Sequence, residues 1–394
     1  MDNTNQAFFA PCPRGLEEVL STELQQLGTQ ALATQGGVGF SGTFSLCYRV
    51  NLESRIASRV LWRISHGNYR NEEDIYQAAY DLPWPEWFST RNTIKVKVSA
   101  QHCPLRSLDF VTLRIKDAVC DKFVAIAGSR PNVDTSQPDI RIDAFLDRQT
   151  VTFYLDTSGE PLFKRGLRKA ISTAPLRENL AAGILRLSGW TGTETLLDPM
   201  CGGGTILLEA AQIVRSMAPG LGRHFAFEKL ANFDRAMWQR LCEASRSRQT
   251  PGTPIVIYGS DRHGNALKAA QANLEAAGLA GAVFLKQTDV LDLKPPAKEG
   301  ILVTNPPYGV RLGEQEELAA FYPRLGDALK QNFPGWRAYI FTADLSLPKL
   351  IGLAASRRTP LFNGALECRL FEFKMVRGSL RPPKPSRLPK LSLL

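Results

Sequence analysis

Along "RGLEEVLSTELQQLG" the apolar residues Leu16, Val19, Leu20, Leu24 and Leu27 recur at helical spacing, and Gly28 follows as a stop. The rhythm then changes. In "TIKVKVSA", Ile94, Val96 and Val98 alternate with Lys95 and Lys97, which predicts a strand with one wet, basic face. A second helix is expected from Phe110 to Ala127. Two alternating runs in "DIRIDAFLDRQTVTFYLD", joined around Asp147–Gln149, predict a hairpin. This first part reads as mixed α and β structure with local connections.

From Gly159 a polar, basic connector, "GEPLFKRGLRKAIST", leads into strands and helices that alternate as a parallel, doubly wound sheet requires. The expected strands are Thr195–Asp198, Ile255–Gly259, Val283–Asp289, Ile301–Asn305, Arg337–Thr342 and Arg369–Met375. Between the first two lies a long excursion, Met217–Pro254, which reads as an insertion. The final "RGSLRPPKPSRLPKLSLL" has several prolines and no acidic residue, the signature of a flexible basic tail.

At 394 residues the chain exceeds what one hydrophobic core usually supports, so two domains, or one with an appended module, are expected. No window approaches the run of apolar residues needed to span a bilayer, and the start lacks a basic segment followed by a long apolar one. The expected location is the cytosol. Seven dispersed cysteines without a CxxC pair and four scattered histidines argue against a disulfide framework and a metal site. A formal charge of +10 suits a polyanionic partner.

In "LLDPMCGGGTILLEAA" an apolar strand ends in Asp198, turns through Gly202, Gly203 and Gly204, and enters a helix. Glycines there let backbone pass close to a ligand beside a helix N-terminus, although a bare G-x-G also serves as a tight turn. The G-x-G-x-x-G fingerprint fails because Leu207 occupies its last position, and no P-loop pattern is present. A nucleoside-like cofactor remains. Asp261, in "YGSDRH", stands where a carboxylate can accept both hydroxyls of a ribose, and Asp289, in "KQTDV", where one can accept from an exocyclic amine. Each alone could be a loop or cap residue. Together, at the ends of successive strands, they outline an adenosine pocket.

"TNPPYGVRLG" follows the apolar run Ile301–Val303. The exocyclic amine of a base is a poor nucleophile because its lone pair is delocalised into the ring. Two acceptors, the Asn305 side-chain oxygen and the Pro306 carbonyl, can hold both N–H bonds so that the lone pair turns towards an electrophile. Pro306 restricts Asn305 to extended backbone and offers no competing N–H. Tyr308 can stack on an extruded base. The matching electrophile is a methyl group on a cationic sulfur, and no strong general base is required. A rigid turn after a buried strand is the bland alternative.

"DPMCGGGT", "SD", "TDV" and "NPPYG" together resemble the class I S-adenosylmethionine-dependent methyltransferases of the amino-group type. The stretch from "RPNVDTSQPDIRIDAF" to "KRGLRKA" resembles the end of a THUMP RNA-binding domain and its linker, and "RGLEEVLSTELQQLG" with "TQGGVGFSG" resembles the ferredoxin-like segment before it. The insertion, with "FAFEKLANFDRAMWQRL", is similar to that in the N-terminal half of the large-subunit ribosomal RNA guanine-N2 methyltransferases of the RlmL type.

This resemblance covers about Ala10–Val376. It implies an α/β fold: a Rossmann-like doubly wound sheet, mostly parallel with an antiparallel last strand, preceded by an α+β RNA-binding module. The implied division is 1–45 ferredoxin-like, 46–158 THUMP, 159–378 methyltransferase with the insertion at 217–254, and 379–394 tail. S-adenosyl-L-methionine is the implied cofactor, with Asp198, Gly202 and Gly204 at its methionine portion, Asp261 at its ribose and Asp289 at its adenine amine. Pro199, Cys201 and Val290 complete that set.

By the same resemblance Asn305, Pro306, Pro307 and Tyr308 form the catalytic motif that holds a guanine of 23S ribosomal RNA or of a large-subunit assembly intermediate. Arg165, Arg168 and Lys116 are the candidate RNA contacts. Gly203 stands where the family commonly carries serine. Adenine N6, a glutamine amide or a transfer-RNA guanine would suit the same motif. A non-catalytic assembly protein would be expected to have lost it, and a nicotinamide-dependent dehydrogenase lacks support in the glycine pattern.

Overall fold

The computed structural model describes residues 4–166, 176–307 and 312–376, with the side chains of 312–316 excepted. Tyr308, Arg168 and the 379–394 tail therefore lie outside the described residues.

The first module runs β1 (Gln6–Pro11), α1 (Glu17–Gln26), β2 (Ala31–Thr34), β3 (Gly37–Gly42), α2 (Phe44–Glu53), β4 (Leu61–Asn68), α3 (Glu72–Tyr80), α4 (Trp84–Trp87), β5 (Ile94–Ala100), α5 (Leu108–Ala127), β6 (Ile140–Leu146) and β7 (Thr150–Asp156). The helix α5 starts where Ser107 Oγ accepts the Phe110 N–H at 3.1 Å, and it stops at Gly128, whose φ of +68° suits glycine. The strands form one sheet in the order β2-β3-β1-β4-β7-β6-β5. The expected division at 45/46 is thus crossed by a continuous sheet, because β4 pairs with β1 on one side and β7 on the other.

The second module comprises α6 (Glu178–Leu187), β8 (Leu196–Asp198), α7 (Thr205–Val214), α8 (Arg235–Ser247), β9 (Ile257–Asp261), α9 (Gly264–Ala276), β10 (Phe284–Gln287), β11 (Ile301–Thr304), α10 (Leu312–Asn332), β12 (Arg337–Thr342), α11 (Leu347–Leu350), β13 (Arg357–Asn363) and β14 (Leu366–Lys374). Their sheet order is β10-β9-β8-β11-β12-β14-β13. The first five strands are parallel, and β14 runs antiparallel to β12. Every residue of β8 and β11 is buried, as parallel strands covered on both faces require. The strand order reverses between β8 and β11, which opens a crevice at their C-terminal ends.

Several expected strand bounds shift; the strand expected at Val283–Asp289 is Phe284–Gln287, which leaves Asp289 in the loop beyond it. The strand expected at Ile255–Gly259 is Ile257–Asp261, so Asp261 closes the strand itself. The last strand begins earlier, at Leu366, because it forms a hairpin with β13, which the sequence reading missed.

The insertion folds back onto the first module. Tyr48 of α2 meets Phe227 at 4.4 Å between ring centroids, Phe233 at 5.9 Å and Trp238 at 6.3 Å. Backbone bonds add to the join: Ala231 N–H to Trp87 O at 2.8 Å and Gly220 N–H to Leu52 O at 2.9 Å. One hydrophobic core consequently runs through both modules, from Phe8, Tyr48 and Trp62 to Leu180, Leu207 and Phe227.

Candidate active site

At the crevice lies a cavity of about 380 Å³, within the range of small-molecule sites. It is lined by Pro199, Met200 and Gly202 from the turn after β8, by Asp261 at the end of β9 with Arg262 and His263 beyond it, by Asp289 and Val290 after β10, and by Asn305 and Pro307 after β11. Glu317, Leu318 and Phe321 of α10 close one side. Four segments far apart in sequence meet here because each follows a strand of the same sheet.

The turn after β8 is held by its neighbours. Gly202 adopts φ +53° and donates its N–H to Asp261 Oδ2 at 3.0 Å, while Asp261 Oδ1 accepts the His263 N–H at 2.9 Å. A carboxylate has about four lone-pair sites, so Asp261 keeps acceptor capacity towards the cavity. Asp289 is anchored likewise, Oδ1 taking the Leu291 N–H at 2.9 Å.

Asp198 does not line the cavity. It is buried beneath the turn, where its Oδ1 accepts from Thr304 Oγ1 at 2.9 Å and from the Met200 N–H at 3.3 Å. Burial pushes its carboxyl up to about 7; the two hydrogen bonds act downward, and the nearby Asp261 adds to the rise.

Cys201 and Gly204 also serve the turn from below. The Cys201 side chain is packed in the core, and burial pushes its thiol well up, away from the reactive thiolate. Gly204 caps α7 at φ +76°, and a Cβ there would sit 2.9 Å from the Ala270 Cβ. Pro306 is buried next to Asn305, and Pro307 is exposed at the cavity rim.

The structure corrects one expected RNA contact. Arg165 is only 4% exposed, because its Nε lies 3.2 Å from Glu209 Oε1 and its Nη2 donates to Arg55 O at 2.8 Å. Its charge is spent inside the fold and is not presented to a phosphate. Lys116 is half-buried on α5, with Nζ 2.8 Å from Asp117 Oδ1.

Sequence reasoning missed Met200, Arg262, His263, Glu317, Leu318 and Phe321. The first three adjoin residues it did single out. The α10 residues carry no local signal, because only the path of the chain after the Asn305 loop brings that helix across the cavity. Among the described residues no group of His, Cys, Asp or Glu is placed to hold a metal ion, and no helix is long and apolar enough to cross a membrane.

Comparison with known proteins gives three family matches: an RMKL-like methyltransferase domain over residues 165–372, a THUMP domain over 69–156 and an RlmL ferredoxin-like domain over 7–61. The ribosomal RNA large subunit methyltransferase K/L of Allochromatium vinosum is 40% identical over 382 residues, covering 94% of this chain and 52% of that protein. "Putative RNA methyltransferase slr0064" of Synechocystis is 36% identical over 374 residues, covering 94% and 97%. Among solved structures, SMU.472 complexed with SAH superposes with a TM-score of 0.85 at 29% identity, covering 96% of this chain and all of that one. The chain spans about half the length of the K/L relatives it matches.

Proposed function

This chain belongs to the RMKL-like methyltransferase family, and from that premise we propose that it transfers a methyl group from S-adenosyl-L-methionine to the exocyclic N2 amine of a guanine in 23S ribosomal RNA. The observation that carries the reading is the meeting of Asn305 and Pro307 with Gly202, Asp261, Asp289 and Val290 around a single cavity.

The residues present fit the cofactor. Asp261 and Asp289 face the cavity with acceptor capacity for ribose hydroxyls and an adenine amine, and Met200, Val290, Leu318 and Phe321 supply apolar walls. Among the described residues, the carboxylates Asp261, Asp289 and Glu317 line the cavity against one arginine, Arg262, an excess that suits a ligand bearing a sulfonium and an ammonium. When bound, the cofactor supplies a methyl group on a cationic sulfur.

The chain's own task is to present the amine. The Asn305 side-chain oxygen and the Pro306 carbonyl accept its two N–H bonds, which withdraws the nitrogen lone pair from the ring and directs it into the cavity. Pro306 holds Asn305 extended and brings no competing donor. Tyr308, outside the described residues, is assigned to stacking on the flipped base. Methylation raises the acidity of the nitrogen, so its extra proton passes to water without a strong base. Orientation of this kind is worth about 7–11 kcal/mol in well-aligned systems.

Recognition of the RNA is assigned to the first module, on the strength of its THUMP match and the chain's net charge of +10. The target guanine must be unpaired or flipped out, so naked duplex should be a poor substrate. The test is transfer of labelled methyl from S-adenosyl-L-methionine to undermodified 23S RNA, followed by nucleoside mass spectrometry. N2-methylguanosine at one mapped site supports the proposal. N6-methyladenosine, or no incorporation, overturns it.

A further inference from the structure

The strands β8 and β11 are paired for only two residues, Leu196 with Ile301 and Leu197 with Leu302. Beyond that point they part. Asp198 continues the ladder with Gly259 of β9, whereas Val303 and Thr304 continue it with Tyr339 and Ile340 of β12. The gap between the diverging ends is the crevice itself. On one lip the glycine turn follows Asp198, and on the other Asn305 follows Thr304.

A side-chain hydrogen bond spans this gap beneath the cavity. Thr304 Oγ1 donates to Asp198 Oδ1 at 2.9 Å, between residues 1% and 2% exposed. The same Oδ1 accepts the Met200 N–H at 3.3 Å, so one carboxylate oxygen grips both the last residue of the strand that leads into Asn305 and the first turn of the loop beside the cavity. Thr304 is also the single polar residue of the buried run Ile301–Thr304.

We infer that Thr304 is a positioning residue for methyl transfer: its hydroxyl, bonded to Asp198 across the β8–β11 divide, sets the spacing between Asn305 and the glycine turn. The inference rests on reading this cavity as the methyl-transfer site. The mechanical reason is plain. Where backbone pairing has stopped, nothing in the ladder fixes how far apart the two lips stand, and transfer depends on alignment to a fraction of an ångström. Thr304 itself touches neither reactant, because it lies a residue behind Asn305 and below the cavity floor.

The test uses the full chain, undermodified 23S RNA and saturating S-adenosyl-L-methionine, comparing wild type with Thr304→Val and Thr304→Ser. Valine keeps the shape and removes the donor; serine keeps the donor. Single-turnover methyl transfer should fall about tenfold to hundredfold in Thr304→Val, as misalignment of reacting groups does. Affinity for S-adenosylhomocysteine by calorimetry and for RNA by filter binding should change less than about threefold, while Thr304→Ser keeps at least about half the wild-type rate. If Thr304→Val loses its cooperative thermal transition, Thr304→Ala is compared with Thr304→Ser in the same way.

A hydroxyl-free variant within twofold of the wild-type rate overturns the inference. So does a serine variant as slow as the valine one, which would make the side chain a matter of volume, or a loss confined to cofactor KM. A wild-type protein that transfers no methyl to any RNA takes down the functional reading together with the inference, whereas an active wild type matched by Thr304→Val removes the inference alone.

Discussion

Arg55 of the first module reaches into the second and places its Nη1 3.2 Å from Glu209 Oε2, and Glu209 is completely buried. The second oxygen of that carboxylate lies 3.2 Å from Arg165 Nε, so one α7 side chain joins the first module, the connector and the helix that leads out of the glycine turn. Burial pulls the Arg55 guanidinium down, and the charge of Glu209 opposes it. Removing the carboxylate would leave two guanidiniums without it in the interior. Glu209→Ala should therefore cost about 3–5 kcal/mol in urea unfolding, as breaking a buried ion pair does. A loss below about 1 kcal/mol would show that water or relaxation compensates fully.

The aromatic join between insertion and first module should carry comparable weight. Phe227 is fully buried, with Trp238 at 5.1 Å and Tyr48 at 4.4 Å between ring centroids. Phe227→Ala is expected to cost about 3–5 kcal/mol and to expose the insertion to limited proteolysis. Unchanged resistance to protease would mean that the backbone bonds to Trp87 and Leu52 suffice.

Within the glycine turn, neighbouring positions should respond unequally. Gly204 has φ +76° and no room for a Cβ against Ala270, so Gly204→Ala should destabilise by more than the roughly 1 kcal/mol of a left-handed alanine. At Gly203 the nearest atom to an added Cβ is Asn273 Nδ2 at 3.7 Å, ordinary contact, and Gly203→Ser should fold normally. Thermal unfolding of the two variants side by side checks the pair, and equal shifts would contradict it.

Asn305→Ala should lower methyl transfer by about 10²–10³-fold, the size of effect seen when one preorganised hydrogen-bonding group is removed from an active site. RNA affinity should stay nearly unchanged, because the first module is assigned the grip. A large loss of RNA binding with little loss of rate would instead favour a binding protein.

Proton uptake provides a further check. The Asp198 carboxyl, raised to about 7, is protonated in the folded chain over a pH range in which an ordinary aspartate, titrating near ~3.9, is ionised. Its contribution to stability is therefore fully present below about pH 4 and is lost as pH rises through about 7. A cationic cofactor reverses the preference, because it favours the ionised carboxylate; of the charged groups nearby, Asp261 opposes ionisation. Binding of S-adenosyl-L-methionine near pH 6.5 should then release protons and tighten as pH rises. Calorimetric titration in buffers of different ionisation enthalpy measures that release, and the Asp198→Asn variant should abolish it. No proton release in the wild type would refute this assignment.

What the sequence determined by itself is local. The apolar runs Leu196–Leu197 and Ile301–Val303 specify buried strands, the glycines specify a tight turn, and "NPPY" specifies an extended amide followed by stiff backbone; these depend on residues close together in the chain. It could not show that Arg165, in a connector that reads as solvated and basic, would be neutralised by Glu209, because that pairing needs two segments 44 residues apart to pack. Nor could it place Glu317, Leu318 and Phe321 over the cavity, or reveal that the insertion clasps Tyr48. Those features arise where segments that are separate in sequence pack side by side, and burial there selects partners by position in space and not by order along the chain.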